Sequence, residues 1–223
     1  MTYKEKNEYI CGFEYDPELA AERFPIIKEF AFDNANWIRS WAAQQLVDYN
    51  NEEAKNILLH LTRDRDYLVR TEAYDSLSAF PYEDIAQVLK QAITHEKSGL
   101  ARGYAIMSWA VVIYEMDAVT KEDIQFLKKR RKTEKSYHCI LDCNYALYIL
   151  GDKSALKGIL FFLNSKNYQN RCGAINLLRL MVADDNKMQI KDAIIQLLAK
   201  EEWLSVKDCA ERFLEELEGD NYE

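Results

Sequence analysis

The chain has 223 residues, of which 48% are hydrophobic and 30% charged, and its formal net charge is −8 at pH 7. This balance excludes a disordered chain, and the excess of acidic residues argues against a surface that follows nucleic-acid phosphates. With only 7 Gly and 3 Pro, the sequence also has little material for a sheet protein with many tight turns.

The sequence shows no targeting or membrane signal. The first seven residues lack the apolar core of a signal peptide, and no apolar run is long enough to cross a bilayer. The five cysteines include no C-x-x-C pair. We therefore expect a cytoplasmic protein with reduced thiols.

In chain order, one series of predicted helices is marked by apolar residues at positions i, i+3, i+4 and i+7, a pattern that is weaker over 121–132, where only Ile124 and Leu127 follow it. The starts and stops are marked by Asp16-Pro17, by Thr120-x-x-Asp123 and by Gly151-Asp152. These helices are predicted over residues 17–32, 52–63, 83–94, 121–132, 153–164 and 187–200.

A second series of helices alternates with the first and carries the pattern R-x-x-A-x-x-x-L or a close variant, which we call the alanine register. Its alanines are Ala42, Ala73, Ala105, Ala146, Ala174 and Ala210. The intervals of 31, 32, 41, 28 and 36 residues each hold two helices and two turns. An acid stands six residues before the base in four units, while Tyr137 and Ser165 take its place in the other two.

These residues resemble the HEAT repeat, in the short bacterial form found in bilin lyases. The stretch from Asp64 to Leu77 matches that form, D-x-[DN]-x-x-V-R-x-x-A-x-x-x-L, almost throughout. The resemblance covers roughly residues 16–218 and implies an all-α fold, a right-handed α-α superhelix of about six antiparallel helix pairs. We predict a single domain over 1–223, with repeats near 16–50, 51–80, 81–117, 118–151, 152–184 and 185–218.

The resemblance further implies that the alanine-register helices line the concave surface. Positions two before, two after and five after each alanine point away from the core, and the position one before flanks them. The alternative is that Trp41, Tyr104 and Tyr145 only pack between repeats. The predicted partner-binding residues are Trp41, Gln44, Asp75, Tyr104, Met107, Tyr145, Tyr148, Asn176, Arg179 and Arg212. The acids and bases are expected to form a ladder between turns, worth about 0–1 kcal/mol per exposed pair.

Other constellations favour structural roles. The basic run from Lys128 to Lys132 is interpreted as a solvated helix end, with a docking patch for an acidic segment as the alternative. Cys139 and Cys143 are interpreted as core residues, because no other Cys or His stands at a metal-ligand spacing. No catalytic arrangement and no phosphate-binding loop is recognised, so no cofactor or metal is expected.

The sequence therefore predicts a monomeric, non-enzymatic protein-binding module or scaffold. Its charge and size suggest an inhibitor or immunity-type protein for a basic partner as one form of this function. A lyase or isomerase of the bilin-lyase type, with a chromophore on Tyr104, Tyr145 and Tyr148, is the main alternative. A glycosylase-like DNA binder is a further one.

Overall fold

A computed structural model of the chain describes residues 1–219, which form thirteen α-helices and four short 3-10 turns with no strand. The predicted all-α fold class is confirmed. The 3-10 turns are Pro17–Leu19, Leu46–Asp48, Leu77–Ala79 and Lys153–Ala155. The helices are α1 (Tyr3–Cys11), α2 (Ala20–Phe30), α3 (Asn36–Gln45), α4 (Glu52–Leu61), α5 (Tyr67–Ser76), α6 (Glu83–His95), α7 (Gly99–Glu115), α8 (Lys121–Thr133), α9 (Tyr137–Ile149), α10 (Leu156–Phe162), α11 (Tyr168–Leu180), α12 (Lys187–Leu198) and α13 (Leu204–Gly219).

The chain divides into two compact units, Met1–Val112 and Ile113–Glu223. In the first unit α2 packs on α3 and α4 on α5, and α3 packs extensively on α5. In the second unit α9, α11 and α13 stack in the same way, with α8, α10 and α12 beside them. The single domain over 1–223 and its repeat boundaries stay predictions.

The core of both units is built on the alanine register. All six alanines predicted for that register are fully buried. A methyl group is small enough to let neighbouring helices approach closely, and the larger apolar residues of the register fill the space between them. The buried residues of the sequence pattern therefore determine how closely neighbouring helices pack.

The predicted helix starts at Asp16 and Thr120 and the stop at Gly151 are present, whereas the Asp152 side chain makes no capping hydrogen bond to the turn that follows it. Asp16 accepts a hydrogen bond from the Glu18 N–H at 2.9 Å, and Thr120 and Asp123 form a reciprocal capping box. Gly151 has φ 101°, a left-handed conformation that favours glycine. The prediction missed α1, although Thr2-x-x-Glu5 forms a second capping box at its start.

Candidate protein-binding surface

Arginine side chains fix the turns that lead into the alanine-register helices. Arg39 on α3 donates from Nε and Nη2 to the two carboxylate oxygens of Asp64, at 2.7 and 2.8 Å. Its Nη1 donates to the backbone carbonyls of Asp33 and Asn34. One guanidinium thus ties its own turn to the acid of the next repeat. Only 7% of Arg39 is exposed.

The same arrangement recurs at two further places. Arg70 donates in the same two-pronged way to Glu96, and Arg171 does so to Glu201 at 2.6 and 2.7 Å. The predicted ladder is present, but the expectation that its pairs are exposed is wrong, because these side chains are largely buried. Such pairs contribute more than exposed ones, since losing one partner leaves a charge in the protein interior.

The acids of the ladder also cap the turns in which they stand. Asp64 accepts from the Asp66 N–H at 2.8 Å, and Glu96 accepts from the Ser98 N–H at 2.8 Å. Burial acts to raise the pKa of the Asp64 carboxyl, but hydrogen bonds from Arg39 and from the Asp66 N–H lower it on balance. The Asp64 carboxylate is therefore ionised, and it accepts hydrogen bonds both from Arg39 and from its own turn.

The fourth repeat follows a register three residues earlier than predicted. Glu134, not Tyr137, accepts the capping hydrogen bond from the backbone N–H two residues on, that of Ser136, at 2.9 Å. The helix α9 then begins three residues after Glu134, as α5 begins three residues after Asp64. Cys143 therefore takes the place of the alanine, and Ile140 that of the base. Counted from Cys143, the long interval of 41 residues becomes 38.

The helix α1 covers the start of the array. Lys6 forms an ion pair with Asp33, the ladder acid of the first repeat, which has no preceding alanine-register helix to pair with. Tyr9 contacts Phe30 and Trp41 edge to face, with ring centroids at 5.7 and 6.2 Å. A helix outside the repeat pattern thus supplies both the cation and the apolar cover.

The outer face of α3 and α5 forms a cleft of about 240 Å³, which we call the tryptophan cleft. Trp41 and Gln44, two predicted partner-binding residues, line it. Trp37 and Leu68 were not predicted; Leu68 is 42% exposed. The full lining is Asn36, Trp37, Ser40, Trp41, Gln44, Leu68 and Glu72.

Aromatic rings pack against the two indoles of the tryptophan cleft. Tyr3 of α1 packs edge to face on Trp37 at 5.8 Å, and Phe13 packs edge to face on Trp41 at 5.0 Å. Both indoles are half-buried. Trp41 therefore has both of the roles considered from the sequence. It packs against neighbouring rings, and part of it lines the cleft.

Two carboxylates lie on α5 at this face. Glu72 lines the tryptophan cleft, and Asp75 follows it by three residues and is exposed. Removal of water by the surrounding protein raises the pKa of both carboxyls, and the charge of Asp75 raises that of Glu72 further. Among residues 1–219, neither carboxylate receives a hydrogen bond or an ion pair.

The corresponding face of the second unit is polar and internally paired. Arg179 lies 2.7 Å from Glu216 and stacks over the Phe213 ring, and Arg212 lies 2.8 Å from Asp208. Asn176 is exposed, and its side-chain oxygen lies 3.3 Å from the sulfur of Cys209. These predicted residues are brought to one surface, but the two arginines already hold acidic partners.

Tyr148 is not available on that surface. It is 6% exposed, its hydroxyl accepts a hydrogen bond from Asn186 at 2.7 Å, and Lys153 lies over its ring at 4.0 Å. Tyr145 is half-buried on α9, as are Tyr104 and Met107 on α7. Burial raises the pKa of the Tyr145 hydroxyl.

The basic run of α8 is partly used within the fold. Lys128 lies 2.8 Å from Asp152, Arg130 lies 2.5 Å from Glu134, and Arg131 donates to Asn144 at 2.6 Å. Lys129 and Lys132 are exposed. The arrangement fits a solvated helix end that also holds α9 and the turn before α10.

The buried cysteines of α9 are core residues. Cys139 and Cys143 are fully buried, and burial raises the pKa of the Cys143 thiol well above its usual range.

Over residues 1–219, no group of three His, Cys, Asp or Glu side chains could hold a metal ion. In the same range, no helix has the length and apolar character that a membrane crossing needs.

Comparison with known proteins confirms the repeat class. Residues 25–110 match the family model for HEAT repeats, which agrees with the repeat pattern in this part of the sequence. No curated protein matches the chain. A chain in the structure of the complex of CpcE and CpcF of phycocyanin lyase from Nostoc sp. PCC7120 is similar, at 20% identity and a TM-score of 0.43. The match covers 87% of this chain and 99% of that chain, and it carries no argument about function.

Proposed function

We propose that this protein is a non-enzymatic protein-binding module that uses the outer face of its alanine-register helices. The observation that carries this proposal is the tryptophan cleft, where two indoles and Leu68 line an opening on helices whose opposite side is fixed by the core. Tryptophan is prominent among the residues that dominate binding energy at protein interfaces. Because the Arg39 and Arg70 ion pairs hold α3 and α5 in place, binding needs little ordering of this surface.

Charge supports a basic partner. The first unit, Met1–Val112, contains 18 Asp and Glu against 12 Lys and Arg, whereas the second contains 19 against 17. The excess of six negative charges lies in the unit that carries the tryptophan cleft. An acidic surface steers a basic protein toward it, and an inhibitor or immunity-type role would use the same surface.

The alternatives lack a comparable observation. A chromophore seated on Tyr104, Tyr145 and Tyr148 would need the Tyr148 ring, whose hydroxyl is bound to Asn186 in the core. A DNA-binding channel would need free cations, and three residues of the basic run of α8 are bound within the fold.

The experiment that tests the proposal is photocrosslinking in lysate of the source organism. Benzoylphenylalanine is placed at Gln44, in the tryptophan cleft, or at Gln87, a matched exposed glutamine on α6. We expect one protein to crosslink through position 44 and not through position 87, and to bind the wild-type chain when purified. Equal crosslinking at both positions, no crosslinked protein, or a bound pigment in the visible spectrum would contradict the proposal.

A further inference from the structure

The tryptophan cleft has the size of a side-chain pocket. Pockets for drug-sized small molecules enclose about 300–1,000 Å³, whereas this cleft encloses about 240 Å³. It lies on α3 and α5, and its two indoles pack edge to face against Tyr3 and Phe13. A single protruding side chain of another protein therefore suits it better than a metabolite or a pigment.

The charge of the tryptophan cleft is negative and uncompensated. Glu72 is the only ionisable residue among its lining residues, and Asp75 lies one helical turn further along the same face of α5. Two other partly buried acids of this unit do have cations, since Asp64 pairs with Arg39 and Glu96 with Arg70. Glu72 receives no hydrogen bond or ion pair from any residue within 1–219, and burial raises the pKa of its carboxyl.

A carboxylate that has lost part of its water and has no cation favours a ligand that brings one. The two indoles favour a guanidinium over an ammonium as that cation. A planar guanidinium stacks on an indole face through dispersion and cation–π attraction, and it offers paired N–H donors to a carboxylate. A lysine ammonium is a compact, strongly hydrated charge that makes poorer use of a flat aromatic wall.

We infer that the tryptophan cleft binds an arginine side chain of a protein partner, with the guanidinium against the indoles of Trp37 or Trp41 and its N–H groups directed at Glu72. The inference rests on the proposed function and adds the chemistry of the partner's anchoring residue. Gln44 also lines the cleft, and Asp75 lies one helical turn beyond Glu72 on α5, so their side-chain oxygens can accept from the remaining N–H groups.

The test is a titration of the ¹⁵N-labelled full chain with three blocked tripeptides, acetyl-Gly-X-Gly-amide, in which X is arginine, lysine or citrulline. Citrulline keeps the shape of arginine and removes its charge. The chain has 4 Trp, so indole N–H signals report on Trp37 and Trp41, while Trp203 on the turn before α13 is an internal control. Assignment uses single Trp→Phe variants.

We expect the arginine peptide to shift the Trp37 and Trp41 signals with a Kd on the order of 1 mM, as a ligand of this size allows, and to leave Trp203 unmoved. Glu72→Gln should weaken this binding about tenfold, because a charge-assisted hydrogen bond is lost. The control Glu211→Gln removes an equal charge from the exposed surface of α13 and should leave the Kd unchanged.

Equal shifts with arginine and citrulline, tighter binding of lysine, no shift of Trp37 or Trp41, or equal weakening by Glu72→Gln and Glu211→Gln would each overturn the inference. The peptide titration needs no partner, so its result is separate from that of the crosslinking experiment. If a protein crosslinks at position 44 while the arginine peptide fails, the binding module stands and the arginine assignment falls.

Discussion

Ile140 and Ser165 stand at the two positions where other repeats hold a ladder arginine and its acid. The base of the fourth repeat would pair with the acid of the fifth, and both of these positions hold uncharged residues. Ser165 still caps its turn, since its hydroxyl accepts from the Asn167 N–H at 3.3 Å. Losing only one member would leave a partly buried charge without a partner, so the loss of both is the less costly arrangement.

An ion pair can therefore be installed at this place. We expect Ser165→Asp and Ile140→Arg each to lower the free energy of unfolding, because each adds an unpaired charge. The double variant should recover most of the loss, with a coupling energy of about 1–3 kcal/mol. Urea unfolding of the four proteins measures the cycle, and a coupling near zero would contradict the register that begins at Glu134.

Removing one partner of a ladder pair should destabilise the fold strongly. Arg171→Met leaves the Glu201 carboxylate, whose side chain is 3% exposed, without its cation, and we expect a loss of about 3–5 kcal/mol. The control is Lys28→Met, because Lys28 and Glu53 form a pair that is half exposed on both sides. Its loss should cost less than about 1 kcal/mol in the same urea titration.

Two helical glycines should respond to alanine in opposite ways. A Cβ at Gly158 on α10 would lie 2.9 Å from the Asn144 amide nitrogen and nearer still to its oxygen. Gly158→Ala should therefore cost about 1–3 kcal/mol, because Asn144 is buried and bonded to Arg131. At Gly173 on α11 the nearest atom is a Leu141 methyl at 3.5 Å, an ordinary contact.

Gly173→Ala should stabilise the protein by about 0.5–1 kcal/mol, since alanine is the better helix former. Thermal melts of both variants give the comparison. An unchanged melting temperature for Gly158→Ala would show that the approach of α9 to α10 is looser than the structure indicates, and a lower one for Gly173→Ala would show that Gly173 lies in a tighter contact with Leu141.

The carboxyl of Asp142 should make stability depend on pH. Asp142 on α9 is 2% exposed, one of its oxygens has no hydrogen bond, and His138 lies 3.5 Å away. Burial raises the pKa of Asp142 well above 3.8, and burial also lowers the pKa of His138. A carboxyl whose pKa is higher in the folded state stabilises the fold while it is protonated, and this contribution is lost as pH rises through the folded pKa.

Asp142→Asn should therefore be more stable than the wild type at pH 7, by on the order of 1–3 kcal/mol. The difference should shrink as pH falls toward the unfolded pKa, where the wild-type carboxyl is protonated in both states. Urea midpoints between pH 4 and pH 7 measure this. A constant difference over that range would mean that the amide acts through packing and not through charge.

Much of this fold could be predicted from the sequence, because each position of the repeat pattern holds a residue type with one main structural role. Buried alanines and paired arginines occupy fixed places, so the all-α class and the ladder could be predicted. The fourth repeat was misplaced because Ala146 imitates the register alanine, and only the hydrogen bond from Ser136 to Glu134 shows that Cys143 replaces it.

The candidate site was only partly predictable. Trp37 and Leu68 stand five residues before Ala42 and Ala73, on the same helix face as Trp41 and Gln44, so a wider register would have included them. The burial of Tyr148 could not be read from spacing, because it depends on Asn186 in the turn before α12.

The pairing of Lys6 with Asp33 gives a rule for building on this protein. Apart from the neutral pair Ile140 and Ser165, the repeats present an acid toward the preceding repeat and a base toward the following one, and Lys6 of α1 takes the place of the preceding base. A designed repeat added at that end would have to replace α1 and bring its own arginine for Asp33. An inserted repeat would need an acid for the arginine of the repeat before it and an arginine for the acid of the repeat after it. Repeats that meet both conditions could be added to the array.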